Sequence, residues 1–307
     1  MDGCNSQGAL VSIVVRTKDR PKLLAEALAS IAEQTHRPIE AVVVNDGGED
    51  VSGVADAFAE RLDTKLVDLQ PGRGRSSAAN AGISAVRGSW IGFLDDDDLL
   101  VPHGVATLLE ASARMEVVPY GRVDAYFQPD GAAARSFRVF SRAFDLDALL
   151  FENFIPINAC LIPTEILRGI GGMDERLDCF EDWDLFLRLS DRVPFRHVDR
   201  LVAEYRIFDQ AFITGRGGQE RQHRGRVAIF TKHAHRYTPE ALSRMQFAVK
   251  TEMGRMNEDS AAEAERLRAE LRECETHLEE IAQTLRALEG SRGWRAYQRA
   301  RRLLGRR

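Results

Sequence analysis

The first hundred residues alternate between short, almost continuously apolar segments and segments with helical periodicity, and this alternation restricts the fold more than any other feature of the chain. The apolar segments are 10–16, 39–45, 65–69 and 89–94. Strands that are apolar along their whole length are buried on both faces, which is typical of a parallel sheet covered by helices. We therefore predict an α/β fold with a Rossmann-like, mostly parallel sheet.

Beyond residue 115 the pattern becomes mixed. The predicted elements are a hairpin of strands 117–127 and 135–140, a short strand at 158–163, a short helix at 182–190 and helical structure from about 220 to 253. We divide the chain into an α/β domain (1–215), a helical extension (216–255), a coiled coil (256–289) and a basic amphipathic tail (290–307).

The composition mainly indicates which classes of protein this chain does not resemble. A chain of 307 residues with 44% hydrophobic and 29% charged residues is ordinary for a soluble globular protein. The net charge of −5 gives no indication of nucleic-acid binding. The four cysteines are scattered, which favours reduced thiols. We see neither a signal peptide nor an apolar run long enough to span a membrane, so we expect a cytoplasmic protein.

Polar side chains stand where three of the predicted strands end. Thr17 and Asp19 follow the first strand, Asp46 follows the second, and Asp95–Asp98 follow the fourth. Parallel α/β sheets bind ligands at the carboxyl ends of their strands. We therefore expect the functional site at this edge of the sheet.

The four aspartates Asp95–Asp98 favour a divalent cation. Mg²⁺ and Mn²⁺ prefer carboxylate oxygens and take phosphates as further ligands. Carboxylates this close repel one another, and a cation among them would relieve the repulsion. The alternative is a solvated acidic turn that caps the helix near Pro102.

The other strand-end residues are ambiguous taken singly. Asp46 could accept a hydrogen bond from a nucleobase, or it could be a turn residue before two glycines. Asp19 and Thr17 leave the same choice open, since Asp19 could cap the helix that begins near Pro21.

The loop Gly72–Ser76 carries two arginines just before a helix, an arrangement that suits a diphosphate. It lacks the Gly-Lys-Ser/Thr ending of a P-loop, and no G-x-G-x-x-G follows the first strand. Both absences count against a kinase or a dehydrogenase.

Asp182 is the candidate general base for an acceptor hydroxyl. It belongs to the segment Glu181–Asp184, which follows a glycine-rich stretch and opens an amphipathic helix. The alternative is a run of acids that is favourable at a helix N-terminus through the helix dipole.

Five segments together resemble the inverting family 2 glycosyltransferases of the GT-A fold, in order and in spacing, over roughly residues 10 to 210. They are Val11–Arg20 (VSIVVRTKDR), Val44–Gly47 (VNDG), Asn80–Gly82 (NAG), Phe93–Asp98 (FLDDDD) and Glu181–Leu185 (EDWDL).

The resemblance implies roles for individual residues. These are a nucleotide-base pocket at Thr17, Asp19 and Asp46, ribose and outer metal contacts at Asp95 and Asp96, the direct ligand of Mg²⁺ or Mn²⁺ at Asp97, and the catalytic base at Asp182. Glu181 and Trp183 would lie on the acceptor side, with Trp183 either lining the acceptor site or packing the helix.

The chain departs from the family pattern at two positions. Ala79 stands where many relatives have an arginine, and Arg75 or Arg73 could compensate as the donor contact. Phe208 stands where relatives often have a histidine near Tyr205–Arg206. We therefore expect metal coordination to rest on Asp97 and water.

The C-terminal region carries two further signals. Apolar residues from Ala264 recur alternately four and three positions apart, which predicts a coiled coil and a homo-oligomer through 264–288. Seven arginines without acids occupy 292–307, with Trp294 and Tyr297 among them. They predict a contact with an anionic membrane surface, at the inner face of the plasma membrane. The alternative is a solvated or RNA-binding tail, but we expect no nucleic-acid partner.

The resemblance thus predicts a glycosyltransferase of cell-surface polysaccharide biosynthesis. It would move a sugar from a nucleoside-diphosphate donor, with UDP or dTDP favoured, to a hydroxyl of a glycan or lipid-linked acceptor. Two alternatives stay open. One is a non-catalytic scaffold that acts through the coiled coil. The other is a metal-dependent nucleotidyltransferase, although the first strand lacks the glycine-rich loop such enzymes show.

Overall fold

The structure is a computed structural model that describes residues 8–112, 117–127, 134–208, 216–248 and 250–251, with four isolated positions between 265 and 272. Residues 1–245 and 246–307 form two compact units. The predicted coiled coil (256–289), apart from those four positions, and the predicted basic tail (290–307) lie outside the described residues.

The first half of the chain folds as alternating strands and helices. They are β1 (Val11–Thr17), α1 (Pro21–Ala32), β2 (Ile39–Asn45), α2 (Ser52–Asp56), β3 (Asp63–Asp68), α3 (Arg75–Ala85), β4 (Trp90–Asp95), β5 (Leu99–Leu100) and α4 (Gly104–Ala111). β1 pairs in parallel with both β2 and β4, and β2 pairs in parallel with β3. The predicted parallel α/β sheet is confirmed.

Burial explains the apolar strands. Every residue of β1 and β2 is buried, and α1 turns Leu24, Leu28 and Ile31 into the core. On α3, Gly82 lets the helix come close to β1, because a Cβ at this position would lie 2.4 Å from Cγ1 of Val14. Pro21 occupies the first turn of α1, where its missing N–H costs no helical hydrogen bond.

The second half builds a smaller sheet and the helices around it. Its elements are β6 (Val118–Phe127), β7 (Arg135–Phe140), α5 (Leu146–Phe151), a 3-10 turn (Ile157–Ala159), β8 (Ile162–Pro163), α6 (Thr164–Gly169), α7 (Glu181–Leu189), β9 (Phe195–Ile207), α8 (Arg216–Lys232), a second 3-10 turn (Ala234–Arg236) and α9 (239–248). The larger sheet has the order β3-β2-β1-β4-β8, and the smaller one β5-β9-β6-β7. In the part of the chain that the structure describes, no helix is both long and apolar enough to cross a membrane.

The predictions for the second half are partly wrong. The hairpin of β6 and β7 is confirmed as an antiparallel pair. The strand predicted at 158–163 is confirmed only at its end, as β8, because residues 158 and 159 belong to a 3-10 turn. The helix predicted from 220 to 253 is interrupted at 233–238. The 13-residue strand β9 was not predicted, because its sequence, FRHVDRLVAEYRI, mixes charged and apolar residues without a regular period. Register shifts between β6 and β9 account for the broken alternation.

The order of the strands in the larger sheet indicates where a ligand site is expected. The sheet order reverses at β1, because β2 and β3 lie on one side of it and β4 on the other. Such a reversal opens a crevice at the carboxyl ends of the strands, where ligands bind in open α/β sheets. β5 carries the chain from the end of β4 into the smaller sheet, where Leu99 pairs with Glu204 of β9. The residues that follow β4 therefore lie close to β9.

Candidate active site

Four charged side chains from β1, β4, α3 and α7 pair with one another in the crevice and form a ring: Arg16, Asp95, Arg75 and Glu181. Arg16 donates from Nε (2.9 Å) and Nη2 (2.6 Å) to Oδ1 of Asp95, and from Nη1 to Oε1 of Glu181 (3.2 Å). Arg75 pairs with the same two acids, at 3.0 Å to Oδ2 of Asp95 and 3.6 Å to Oε1 of Glu181. Burial opposes the charged form of Asp95, but Arg16 and Arg75 hold its pKa below the usual value.

The next two aspartates are held by β1 and the residues after it. Thr17 Oγ1 donates to Asp96 (2.7 Å), and Arg20 Nη1 donates to both Asp96 (3.0 Å) and Asp97 (2.7 Å). Burial raises the pKa of Asp96 to about 6, although Thr17 and Arg20 oppose the shift. The predicted residues Thr17, Asp95, Asp96 and Asp97 are thus brought together.

The arginines change the argument for a bound ion. Arg16, Arg20 and Arg75 already place positive charge against Asp95, Asp96 and Asp97. Repulsion among the aspartates therefore does not by itself require a metal, contrary to the expectation from sequence. Whether a metal can bind here depends on which carboxylate oxygens are accessible.

Asp98 anchors the cluster to the smaller sheet. Its Oδ2 accepts from Nδ2 of Asn158 (2.9 Å), and its Oδ1 accepts from the backbone N–H of Arg206 (3.1 Å). Burial and the neighbouring Asp97 raise its pKa well above the usual value. Arg206 also donates from Nε to the carbonyl oxygen of Asp97 (2.6 Å), so β9 fixes the backbone of the cluster.

Asp46 and Asp19 both accept hydrogen bonds from backbone N–H groups of neighbouring loops. Asp46 accepts from the backbone N–H groups of Arg73 (2.6 Å) and Gly74 (3.0 Å), which fastens the loop before α3 to the end of β2. Asp19 accepts from the backbone N–H of Glu49 (2.9 Å) and does not cap α1. Asn45, rather than Asp46, closes the glycine turn by accepting from Gly48 N–H (3.0 Å). Both aspartates therefore shape the ends of β1 and β2.

Asp182 lies in the first turn of α7, beside this ring. Its Oδ2 accepts from Nδ2 of Asn153 (2.9 Å), and its Oδ1 accepts from the N–H of Trp183 (2.8 Å). Burial and the adjacent Glu181 raise its pKa to about 6, while Arg75 and Arg16 act in the opposite direction. A partly buried carboxyl group with this pKa can take up a proton near neutral pH.

The residues at the start of α7 are buried, and one of them has a strained backbone. Phe180 precedes the helix with a left-handed φ of 63°, which is unfavourable for a bulky residue. Trp183 is 1% exposed and donates from Nε1 to the carbonyl of Leu149 (2.6 Å), which favours a packing role over lining an acceptor site. Glu181 is 5% exposed and directed to Arg16 and Arg75.

Asn80 holds the loop that leads into α7. Its side chain donates to the carbonyl of Met173 (3.0 Å) and accepts from the N–H of the same residue (2.8 Å). Gly172 has a φ of 69°, and a Cβ there would lie 2.5 Å from Oδ1 of Asn80. The Asn80–Gly82 motif thus joins α3 to β1 and to the loop before α7.

Asp97 is the carboxylate best placed for a divalent cation. Its side chain is 26% exposed and pairs with Arg20, which is itself half exposed. Both oxygens of Asp95 face arginines, and Asp98 is buried. Within the described ranges, no group of three or more acids, histidines or cysteines is arranged to hold a metal. These residues fit a cation that is held by one carboxylate together with phosphate oxygens and water.

Comparison with known proteins agrees with this geometry. The sequence model of glycosyl transferase family 2 matches residues 12–162, which run from β1 to β8. The chain carries a family 2 glycosyltransferase domain. The uncharacterized glycosyltransferase YwdF of Bacillus subtilis is 29% identical over 183 residues, covering 59% of this chain and 68% of the relative. The predicted family, and with it a transferase, is confirmed.

Solved structures share the fold of the glycosyltransferase domain. Mannosyltransferase PcManGT from Pyrobaculum calidifontis, in complex with GDP-Man and Mn²⁺, has a TM-score of 0.56 at 18% identity over 81% of this chain and 71% of its own. S. aureus TarS 1-349, in complex with UDP-GlcNAc, has a TM-score of 0.54 at 16% identity over 72% and 66%. Another TarS structure is covered over only 36% of its chain. The predicted GT-A fold is confirmed.

Sequence reasoning missed several residues of the glycosyltransferase site. Arg16 and Arg20 were read only as part of a motif, and Asn153 and Tyr205 were not assigned. Burial and the charges of Asp98, Asp97 and Asp95 raise the pKa of Tyr205 to about 12, so its hydroxyl faces the cluster in neutral form. An arginine next to the last residue of a buried strand was the available signal, because a buried guanidinium needs an acidic partner.

Proposed function

We propose that the protein transfers a sugar from a nucleoside-diphosphate donor to a hydroxyl of a glycan or lipid-linked acceptor, with inversion at the anomeric carbon. The observation that carries this proposal is the position of Asp182, in the first turn of α7 next to Arg75 and the strand ends. In a single displacement, the acceptor oxygen bonds to the anomeric carbon as the bond to the diphosphate breaks. Asp182 accepts the hydroxyl proton, for which a pKa of about 6 is well suited.

Arg75 and the start of α3 are the proposed diphosphate contacts. Arg75 is 51% exposed and is the first residue of α3, after Gly74. A helix N-terminus offers free N–H groups to an anion, and a guanidinium can bond two phosphate oxygens at once. The base and ribose would lie against Thr17, Asp19, Asp46, Asp95 and Asp96, with UDP or dTDP as the favoured nucleotide.

Asp97 would hold Mg²⁺ or Mn²⁺ together with the donor phosphates. The cation would neutralise the charge that develops on the leaving diphosphate. Support comes from the accessible side chain of Asp97 and from the Mn²⁺ in the PcManGT complex. Within Asp95–Asp98, Asp97 alone keeps a carboxylate oxygen that accepts no hydrogen bond from the described residues. A single carboxylate holds a cation weakly, so we expect cation and nucleotide to bind together.

The acceptor, the location and the assembly remain proposals from sequence. The arginine-rich segment 292–307 would place a lipid-linked acceptor near the inner face of the plasma membrane, and 264–288 would join copies of the chain. Co-sedimentation with anionic vesicles tests the first proposal, because a protein truncated at Gly290 should lose binding. Equal binding by both proteins would contradict it.

Calorimetric titration with UDP, dTDP and GDP, with and without Mn²⁺, tests the donor site. We expect one nucleotide to bind in a metal-dependent manner, and Asp97→Ala to abolish the metal dependence. Asp56→Ala is the matched control, since Asp56 is an exposed aspartate on α2 away from the crevice. Failure of all three nucleotides to bind under either condition would contradict the proposed function and favour a scaffold that keeps the fold without the chemistry.

A further inference from the structure

Arg16 is the most deeply buried cation of the ring, and nothing in the proposed reaction requires it to touch the donor. Its side chain is 8% exposed, against 51% for Arg75. Removing a guanidinium from water is costly unless charged partners and hydrogen bonds replace the water. Arg16 therefore occupies this position because of the two acids it bonds, Asp95 and Glu181.

The two acidic partners of Arg16 lie on different elements of the fold. Arg16 and Asp95 are register partners on the neighbouring strands β1 and β4, so the sheet itself brings them together. Glu181 is 165 residues away in sequence and lies on α7. The bond from Nη1 of Arg16 to Glu181 thus attaches the start of α7 to the strand ends.

The start of α7 needs such an attachment. Phe180 enters the helix in a left-handed conformation that bulky residues avoid, and strained backbone persists only where surrounding contacts hold it. Glu181 and Asp182 follow directly in the first turn. Fixing the side chain of Glu181 therefore also fixes where the carboxylate of Asp182 stands.

Arg75 cannot provide this attachment throughout a reaction cycle. It shares Asp95 and Glu181 with Arg16, but it is half exposed and is the proposed diphosphate contact. When Arg75 turns towards a diphosphate, two poorly exposed carboxylates would lose a counter-charge. Arg16 would still pair with both.

We propose that Arg16 is a positioning residue that keeps Glu181 and Asp95 paired while Arg75 binds the donor diphosphate, and so holds Asp182 in place. This inference rests on the proposed function for its catalytic consequence. The mechanical part, the attachment of α7 to β1 and β4, follows from the contacts of Arg16 and can be tested without turnover.

Hydrogen exchange measured by mass spectrometry on the full chain tests the attachment. We expect Arg16→Gln to lose amide protection over residues 181–187 while β2 keeps its own, and the loss to grow when UDP and Mn²⁺ are added. Arg87→Gln is the matched control, because Arg87 pairs with buried Glu40 at the opposite end of the sheet. Unchanged protection of α7 in Arg16→Gln would overturn the proposal.

Kinetics test the consequence for Asp182. With UDP-GlcNAc and GDP-Man as probe donors, Arg16→Gln should lower turnover about 100-fold, the cost of a small misplacement of a reacting group. The dissociation constant for UDP or GDP should change by less than about threefold, since Arg16 does not bind the nucleotide. An equal loss of affinity and turnover would make Arg16 a donor-binding residue and overturn the proposal.

A second pair of variants separates positioning from general damage. Arg16→Lys should recover part of the turnover, because an ammonium keeps the charge but cannot fork between two acids. Glu181→Gln should lower turnover in the same direction as Arg16→Gln, and the loss in the double variant should be smaller than the two single losses added together, since both variants affect the bond between Arg16 and Glu181. Additive losses would contradict a shared role.

The two proposals fail in different ways. If the wild type neither binds a nucleotide nor turns over a donor, the proposed function is wrong, and hydrogen exchange alone decides whether Arg16 attaches α7. If the wild type is active and Arg16→Gln keeps full turnover, the positioning role is wrong and the proposed function stands.

Discussion

The two ends of the parallel sheet both hold a buried carboxylate beside an arginine, but their charges are balanced differently. At the amino end, Glu40 accepts from Ser12, from the backbone N–H of Arg87 (2.7 Å) and from Nε of Arg87 (2.7 Å). These bonds outweigh burial and lower its pKa. At the carboxyl end, burial raises the pKa of both Asp96 and Asp182 to about 6.

This difference shows what distinguishes a site from a structural ion pair. An arginine–carboxylate contact occurs at both ends, so the contact itself carries no functional information. Some acids keep a raised pKa because nearby arginines do not fully offset the cost of burying their charge. Such acids lower the stability of the fold, and they are concentrated at functional sites. Here these acids lie at the crevice where the strand order reverses.

The largest expected effect is on turnover, from Asp182→Asn. Removing the proposed base should lower the turnover of the active donor about 1000-fold. Nucleotide affinity should stay close to that of the wild type, because Asp182 is not a proposed donor contact. Steady-state release of the nucleoside diphosphate measures the first quantity, and calorimetry the second.

Glu40→Gln is the control from the other end of the sheet. It removes a buried carboxylate of similar setting and should leave turnover unchanged while lowering the melting temperature. A comparable loss of turnover in both variants would mean that buried acids at either end simply support the fold.

The second effect is on stability, from Asp184→Asn on the same helix. Asp184 is fully buried and bonds Arg188 (2.8 Å), Lys232 (2.7 Å) and His233 (2.9 Å). The three basic side chains overcome burial and hold its pKa at about 2. Leaving these partners without a carboxylate should lower the free energy of unfolding by about 3 kcal/mol, measured by urea denaturation. A change below about 1 kcal/mol would show that the cluster does little for stability.

The third effect is on affinity, from Asp46→Asn. Asp46 holds the backbone of Arg73 and Gly74 at the carboxyl end of β2 and belongs to the proposed base pocket. Weakening this contact should raise the nucleotide dissociation constant about tenfold, roughly the worth of one charge-assisted hydrogen bond. Asp63 at the amino end pairs with Arg87 but is 60% exposed, so Asp63→Asn should change neither affinity nor stability. Equal effects would remove the distinction between the two ends.

The sequence predicted the part of the molecule whose pattern is local. Continuous apolar strands such as Ile39–Asn45 predicted the parallel sheet, and the residue after each strand predicted the site edge. The strand β9 could not be predicted, since its residues are half exposed and its register shifts against β6. Because β9 was not predicted, the contacts of Arg206 with Asp97 and Asp98 could not be predicted either.

Side-chain pairing across the site was the second limit. The motif at Glu181–Asp184 predicted a base, but not that Glu181 turns to Arg16 or that Asp184 turns away into a basic cluster. Those choices depend on which helix face meets the sheet, and neighbouring acids in a sequence do not reveal it. For the same reason, the four aspartates alone did not reveal that three arginines balance their charge, because these arginines come from distant segments of the chain.

The smallest expected effect is on the free energy of unfolding, and it again concerns Asp182→Asn. Here the direction of the change is more informative than its size. The carboxyl group of Asp182 has a pKa of about 6 in the folded protein, against about 3.9 in an unfolded chain. Between these values the folded state binds more protons, so this group makes the protein less stable as pH rises from about 4 to about 6. The asparagine variant lacks the penalty and should be more stable at pH 7 by about 1 kcal/mol, a value discounted for partial exposure and for the coupling with Glu181.

Urea denaturation at pH 4 and pH 7 measures this difference. The gain of Asp182→Asn should be smaller at pH 4, where the folded state is protonated and about half of the unfolded chains are protonated too. Asp184 has the opposite sign, because its lowered pKa gives stability that is present above about 4 and lost as pH falls towards about 2. Two acids two residues apart on one helix would then differ in sign, one stabilising the fold and one strained within it. A gain for Asp182→Asn that does not depend on pH would mean that ionised Asp182 carries no strain, and the energetic argument for it as the base would fail.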